Sequence, residues 1–317
     1  MQTIGMDSRS HGITTIDTGY GDRPRFCAAY LVVQDGRAAF IDCGSNDSVP
    51  RMLAALEAQG LARDAVDWLI LTHVHLDHAG GAGALMRELR NARLVVHPRG
   101  APHMIDPSKL VAGATAVYGE AAFARHYGTL LPVPSERVVE ATDGHVVKLA
   151  ERPLLCVDTP GHARHHIAVW DAASRGWFSG DIFGLSYREF DTAQGAFIVP
   201  TTSPVQFDPG EMRASLRRML AAEPAAVYLT HYGRVDEVQR LGADLLEQVD
   251  AMVALARECD ADPARHARLV AALTALYVER ARRHGVAGAQ VRVPQLLAMD
   301  IDLNAQGLEV WLDHAKR

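Results

Sequence analysis

The amino-acid sequence predicts an α/β fold with a helical extension at its C-terminal end. Short apolar runs typical of strands recur along the first three quarters of the chain. The first of these runs are residues 13–16, 28–33 and 38–41. Amphipathic helical patterns lie between the runs, and this mixture indicates an α/β architecture. After Gly233 the pattern changes, because residues 235–284 carry apolar side chains at helical spacing. We therefore predict a main α/β domain at residues 1–235 and a helical extension at residues 236–317.

Turn and capping signals bound the individual elements. An Asp-Gly pair within residues 34–37 predicts a hairpin between the second and third strands. A helix is expected at residues 48–59, because Gly60 follows as a stop signal. Asp208 is a suitable cap for a later helix whose first turn begins with a proline.

Composition and charge exclude several classes of partner. The 317-residue chain is 48% hydrophobic and carries a formal net charge of −6 without a strong basic stripe. Nucleic acid is therefore not expected as a partner. No apolar run approaches the length of a membrane span, and the first eight residues do not read as a secretory signal. The expected partner is a small-molecule substrate, with no membrane partner.

The four cysteines, Cys27, Cys43, Cys156 and Cys259, do not have metal-type or redox-type spacing. The first three lie in apolar, strand-like segments and are expected to be buried thiols. Free thiols and the missing signal together favour a cytoplasmic location.

Residues 72–81 contain a dense cluster of candidate metal ligands. His73, His75, Asp77 and His78 fall within six positions, after an apolar run and before two glycines. The cluster is thus expected where a strand ends and a helix begins, so that several side chains can face one point. Imidazole and carboxylate ligands together suit zinc, iron or manganese.

Three further candidate ligands follow apolar runs later in the chain. They are His162, Asp181 and His231. Each is predicted at the end of a strand, often beside glycine, where the backbone can approach a site closely.

The ordered set of these seven residues resembles the metallo-β-lactamase-fold hydrolases, and within them the glyoxalase II and lactonase-like branch. The resemblance covers roughly residues 12–235 and implies an αββα sandwich with the metals at one edge of the two sheets. It implies that one metal is held by His73, His75 and His162. It implies that the second is held by Asp77, His78 and His231, with Asp181 as the bridge. Asp42 matches the family's acid that orients ligand histidines by hydrogen bonding.

The resemblance also implies an activity. Two divalent metal ions, with zinc expected and iron or manganese as alternatives, would share a metal-bridging hydroxide. That hydroxide would attack a small carbonyl ester, thioester or lactone. Asp77 is expected to orient it and to carry a proton toward the leaving group. Tyr232 and Tyr187 are candidate hydrogen-bond donors to the substrate. Known lactonases place a tyrosine where this chain has Gly184, three residues after Asp181.

Other histidines are not assigned to the metals. His165 and His166 are expected behind the ligands or in the core. The remaining scattered histidines, His97, His103, His126 and His145, receive no metal role.

Several alternatives stay open at this point. The proline-rich insertion at residues 98–134 is either a lid or pocket wall, or an ordinary surface excursion. The helical extension either shapes the substrate site, or stabilises the fold, or forms a homodimer contact. The competing activity is that of a mononuclear iron persulfide dioxygenase, which shares the fold but uses only two histidines and an aspartate. A non-catalytic binding protein is disfavoured because no ligand position is lost.

Overall fold

The computed structural model describes residues 11–316, and the chain divides into two compact units. Among the described residues, the first comprises residues 11–158, His165–Gly180 and Ala226–Arg234. The second comprises Thr159–Arg164, Asp181–Ala225 and residues 235–316. The first eight residues, on which the prediction about a secretory signal rests, lie outside the described residues. The domain boundary between residues 235 and 236 stays a prediction.

Two mixed six-stranded sheets form the framework of the first unit. The first sheet runs in chain order through β1 (Ile13–Asp17), β2 (Ala28–Gln34), β3 (Arg37–Ile41), β4 (Val66–Ile70), β5 (Arg93–Val96) and β6 (Val138–Glu140). The strands of the second are β7 (Val146–Leu149), β8 (Arg152–Asp158), β9 (Ile167–Asp171), β10 (Gly176–Phe178), β11 (Ala226–Leu229) and β12 (Gly233–Val235). Strands β3 to β6 are mutually parallel, so their carboxyl ends lie at one edge of the first sheet. Strands β10 and β11 are also parallel, so their carboxyl ends lie at one edge of the second sheet.

The predicted hairpin between β2 and β3 is confirmed. The strands pair antiparallel up to Gln34 and Arg37. Asp35 and Gly36 have φ angles of 48° and 74°, as a two-residue hairpin turn of this type requires.

The two sheets pack face to face through an apolar core within the first unit. Tyr30 and Ile41 of the first sheet share this core with Leu154, Phe178 and Tyr228 of the second. The Tyr30 and Phe178 rings pack edge to face with their centroids 5.2 Å apart, an arrangement that aromatic pairs favour. The sheets are therefore held at a fixed separation beneath the edge that carries the candidate ligands.

Helices cover the other face of the first sheet. They are α1 (Val49–Ala58), α2 (Leu76–Ala79) and α3 (Ala82–Glu88). Met52 and Leu56 of α1 and Leu85 of α3 are buried against Leu31 and Phe40 of the sheet. The helix expected at residues 48–59 is confirmed within one residue at each end.

The insertion at residues 98–134 is mostly helical. It contains α4 (Ala101–Ile105), α5 (Ser108–Tyr118) and α6 (Glu120–Tyr127). Phe123 and Tyr127 of α6 form a small apolar cluster with Leu76, which lies between His75 and Asp77 in the sequence. The insertion therefore packs directly on the metal motif.

The second unit is built mainly from helices. They are α7 (Pro209–Ala221), α8 (Val238–Cys259), α9 (Arg265–Arg283), α10 (Ala289–Leu296) and α11 (Ala298–Ala315). The predicted cap of α7 is confirmed, because the Asp208 carboxylate accepts a hydrogen bond of 2.9 Å from the N–H of Glu211. No helix in residues 11–316 is both long enough and apolar enough to cross a bilayer. These elements confirm the predicted α/β class with a helical C-terminal region.

Candidate metal centre

The metal motif begins in the turn after β4 and continues into α2. Strand β4 ends at Ile70, and α2 begins at Leu76. The backbone N–H of His78 donates to the carbonyl of His75 at 3.1 Å, which folds the motif back on itself. As a result the ring centroid of His73 lies 4.5 Å from that of His75 and 4.7 Å from that of His78. The structure thus brings the three histidines together, as predicted. Asp77 and His78 lie on a short helical turn, however, before the glycines that were expected to open the helix.

Asp77 lies between two of the predicted ligands. Its Oδ2 is 3.1 Å from Nε2 of His78 and 3.5 Å from Nε2 of His231. Burial alone would raise the pKa of this carboxyl group. The two imidazoles outweigh burial and hold the pKa of Asp77 well below its usual range. A carboxylate that stays ionised beside two imidazole nitrogens is a suitable donor set for a divalent cation.

Cys27 is a neighbour of this group that the sequence did not identify. Its thiol lies 3.5 Å from Nδ1 of His231 and 3.9 Å from Oδ2 of Asp77. Cys27, Asp77 and His231 each offer one ligand atom, and the three atoms lie within 4.8 Å of one another. The backbone carbonyl of Phe26 also lies 3.0 Å from Nδ1 of His231. The His231 Nδ1–H can therefore donate to the carbonyl, which leaves Nε2 as the ligand atom.

Asp42 acts on the motif through Thr72. The Asp42 carboxylate accepts hydrogen bonds from the N–H of Thr72 at 2.8 Å and from its hydroxyl at 2.9 Å. The Thr72 hydroxyl oxygen lies 3.1 Å from Nδ1 of His73. Asp42 was predicted from the sequence and Thr72 was not, because the only signal for Thr72 is its place directly before His73.

His165 and His166 lie behind the motif, consistent with the expected supporting role. The His166 ring stacks on His73 with ring centroids 5.0 Å apart. Nδ1 of His165 accepts a hydrogen bond of 3.4 Å from the N–H of Val74. Gly180 (φ +52°) approaches the His166 ring closely, since a Cβ there would lie 2.4 Å from Nε2 of His166. Only glycine fits this position without displacing the ring.

The other two predicted ligands lie in the second unit. Nε2 of His162 is 3.5 Å from Oδ2 of Asp181. The hydroxyl of Thr201 donates to the backbone carbonyl of Asp181 at 2.9 Å and lies 3.2 Å from Nδ1 of His162. The structure therefore brings this histidine and this carboxylate together, with Nε2 facing the carboxylate. Thr201 was missed, because its sequence context carries no ligand signal.

Both predicted tyrosines are packed rather than open to solvent. Tyr187 is 2% exposed, and its hydroxyl donates to Oδ1 of Asp300 at 3.1 Å. Tyr232 is half-buried and packs against the apolar core between the sheets. Their catalytic roles stay predictions.

The scattered histidines that received no metal role all lie in the first unit, where the ring centroid of His103 is 6.5 Å from that of His165. One of them, His97, has its Nε2 3.4 Å from the carboxylate of Asp158 at the end of β8. His103 has a pKa lowered from the usual value, by burial first and by the charge of Lys109 second.

Comparison with known proteins gives a family-level match. The metallo-beta-lactamase superfamily model matches residues 22–231, a range that includes all seven predicted ligands. The metallo-beta-lactamase fold-containing protein ST1585 of Sulfurisphaera tokodaii is 26% identical over 228 residues, which is 71% of this chain and 79% of that protein. A hydroxyacylglutathione hydrolase of Aeromonas hydrophila is 26% identical over 204 residues, which is 64% of this chain and 59% of that enzyme.

The structural comparison agrees with the sequence comparison. The crystal structure of ST1585 from Sulfolobus tokodaii has a TM-score of 0.67 to this chain at 22% identity, and the match covers 94% of this chain and 98% of that one. This likeness extends through the helical C-terminal region and concerns the fold.

Proposed function

The chain belongs to the metallo-β-lactamase superfamily as a metal-dependent hydrolase, and from that premise we propose that it cleaves a small carbonyl ester, thioester or lactone at a dinuclear metal site. The observation that supports this most directly is the Asp77 carboxylate, which lies between Nε2 of His78 and Nε2 of His231. A mononuclear site would not require this second cluster of donors beside His73 and His75.

The proposed ligand sets follow the family resemblance. His73, His75 and His162 would hold one metal, and Asp77, His78 and His231 the other, with Asp181 between them. The donor chemistry fits zinc, with iron or manganese as alternatives. Metal ions held there would lower the pKa of a bound water and polarise a carbonyl oxygen, as acyl hydrolysis requires.

The residues around the metals would divide the remaining work. The ionised Asp77 would orient the attacking water and pass a proton toward the leaving group. Thr72 and Phe26 hold the Nδ1 sides of His73 and His231, so that each imidazole presents Nε2. Tyr187 and Tyr232 remain candidates for hydrogen bonding to the substrate.

The substrate class rests on the branch of the family. The relatives include a hydroxyacylglutathione hydrolase, whose name describes hydrolysis of an acyl group from glutathione. This likeness supports a thioester or a related activated ester as the first class to test. We also propose a small-molecule substrate, without nucleic acid or membrane as partners, and a homodimer if the chain associates. The cytoplasmic location expected from the four free cysteines stays a prediction.

The proposal is tested by a hydrolysis screen over thioesters, lactones and aryl esters with the zinc-loaded enzyme. Asp77→Ala is expected to abolish turnover and to weaken one metal position, while the thermal melt stays cooperative. Asp64→Ala is the matched control, since Asp64 is an exposed aspartate away from the cluster. Full turnover in Asp77→Ala would contradict the mechanism. One iron per chain with oxygen uptake on a persulfide would instead favour the dioxygenase activity.

A further inference from the structure

We propose that Thr201 and Asn304 are positioning residues for the predicted ligands His162 and Asp181. Through them the last helix, α11, would set the geometry of part of the metal centre. This inference rests on the proposed function, because it assumes that these two residues bind metal. It assigns the helical extension a role in the reaction besides stabilising the fold.

The first step is the orientation of His162 by Thr201. The Thr201 hydroxyl donates its proton to the carbonyl of Asp181 at 2.9 Å. Its oxygen is then left to accept from the Nδ1–H of His162 at 3.2 Å, and the Thr201 carbonyl lies 3.4 Å from the same nitrogen. With the proton on Nδ1, the lone pair of His162 is on Nε2, the atom that faces the Asp181 carboxylate. Hydrogen bonds of this type fix the tautomer and the ring orientation of metal-binding histidines.

The second step is the anchoring of the segment that carries Thr201. Asn304 of α11 is 1% exposed, and its carbonyl oxygen accepts from the N–H of Thr202 at 2.7 Å. Its amide nitrogen donates to the carbonyl of Pro200 at 2.9 Å. One side chain therefore holds the backbone on both sides of Thr201, and the hydroxyl of that residue cannot shift without breaking these bonds.

The third step is the rigidity of Asn304 itself. The amide nitrogen of Asn304 also donates to the hydroxyl of Tyr277 on α9 at 3.0 Å, so both helices fix its orientation. One turn along α11, Gly307 lies so close that a Cβ there would meet the Thr202 hydroxyl at 2.2 Å. The close approach of Gly307 to Thr202 and the hydrogen-bonded amide of Asn304 together hold α11 rigidly against the segment that carries Thr201. A surface appendage that only added stability would not need a buried polar side chain at this place.

The test compares Thr201→Val, which keeps the side-chain shape and removes the hydroxyl, with Thr201→Ser, which keeps the hydroxyl. Zinc affinity is measured on the full-length protein by competition with a chromophoric chelator, and the cobalt-substituted protein gives a visible absorption spectrum. Thr201→Val is expected to weaken binding of one of the two ions by roughly 10- to 100-fold and to change the cobalt spectrum. Thr201→Ser is expected to restore both.

Asn304→Leu tests the link to α11 and is expected to shift affinity and spectrum in the same direction. Thr192→Val is its matched control, because the Thr192 hydroxyl also bonds the helical region, at the carbonyl of His284, without touching the ligands. The control is expected to lower thermal stability alone. If Asn304→Leu fails to fold, the Thr201 pair still decides the first step.

The outcomes separate the two proposals. Wild-type protein that binds no metal would overturn both the proposed function and this inference. Wild-type protein that binds two ions and hydrolyses its substrate, with Thr201→Val unchanged in affinity and spectrum, would overturn only the inference. An equal loss in Thr201→Val and Thr201→Ser would also contradict it, because the hydroxyl would then not matter.

Discussion

The carboxylate of Asp42 accepts hydrogen bonds from both the backbone N–H and the hydroxyl of Thr72. Because the hydroxyl proton is directed to Asp42, the oxygen of Thr72 is free to accept from Nδ1 of His73 at 3.1 Å. The acid therefore orients the first histidine of the motif through an intervening threonine. A buried charge, 1% exposed, fixes a ligand that lies 31 residues further along the chain.

The first prediction concerns this relay, the hydrogen-bond chain from Asp42 through Thr72 to His73. Asp42→Asn should weaken zinc binding by roughly 10- to 100-fold, because it removes the negative charge and puts an NH2 donor where Oδ2 of Asp42 accepts from the Thr72 hydroxyl. Asn tolerates the left-handed backbone at this position (φ 58°), so the fold should survive. Asp35→Asn is the control, since Asp35 has a similar φ of 48° in an exposed hairpin turn. Unchanged affinity in Asp42→Asn would contradict the relay.

The second prediction concerns a buried ion pair in the second sheet. Nε of Arg152 donates to Oδ1 of Asp171 at 2.8 Å, and both side chains are almost fully buried. Asp171→Asn should lower the free energy of unfolding by about 3–5 kcal/mol, because it leaves an arginine charge buried without its counter-ion. Urea denaturation measures this. Asp67→Asn removes the partner of the more exposed Arg37 and should cost at most about 1 kcal/mol. Equal losses of stability in Asp171→Asn and Asp67→Asn would contradict the expected difference between the buried and the more exposed ion pair.

The third prediction concerns the reactivity of the thiols. Burial raises the pKa of Cys156 to about 12, and burial followed by the charge of Asp42 raises the pKa of Cys43 well above its ordinary value. Because the thiolate is the reactive form, neither should be alkylated in the native protein at about pH 8. All four cysteines should react in denaturant. Peptide mapping after iodoacetamide treatment reads the pattern, and rapid native labelling of Cys156 would count against it.

The fourth prediction concerns pH. His266 of α9 lies between two carboxylates of α11. Its Nδ1 is 2.9 Å from the carboxylate of Glu309, and its Nε2 is 3.0 Å from that of Asp302. Glu309 first and Asp302 second raise the pKa of His266 in the folded protein. The resulting stabilisation is fully present below the unfolded pKa of about 6.5 and disappears as the pH rises through the raised folded value.

His266→Gln should therefore melt at a lower temperature than wild type at about pH 5.5 and at the same temperature in alkaline buffer. The melting temperatures across this range measure the effect. His314→Gln, a substitution of an exposed histidine near the end of the same helix, should leave the pH profile unchanged. A difference in melting temperature between His266→Gln and wild type that does not change with pH would show that the variant loses stability through packing and not through charge.

Local sequence signals predicted the strands, the hairpin, the α7 cap and the candidate ligands. These features depend on short-range periodicity and turn chemistry, which a single sequence carries. The family itself could be recognised for the same reason, since the spacing of His73, His75, Asp77 and His78 is local.

Long-range contacts could not be predicted in this way. Cys27 comes near His231 through a contact between the two sheets, where the N–H of Ala28, at the start of β2, donates to the carbonyl of Thr230, which follows β11. The hydroxyl of Tyr187 meets Asp300, which lies 113 residues away in sequence. The helical content of the 98–134 insertion was obscured by its prolines. Most of them lie before, between or after its helices, and Pro102 lies in the first turn of α4.

The most direct test of the account is the number of metal ions per chain in protein purified without added metal, measured by elemental analysis. The dinuclear proposal predicts about two zinc, iron or manganese ions per chain, falling to about one in Asp77→Ala. One iron per chain in the wild type, or no metal after zinc has also been supplied, would contradict it.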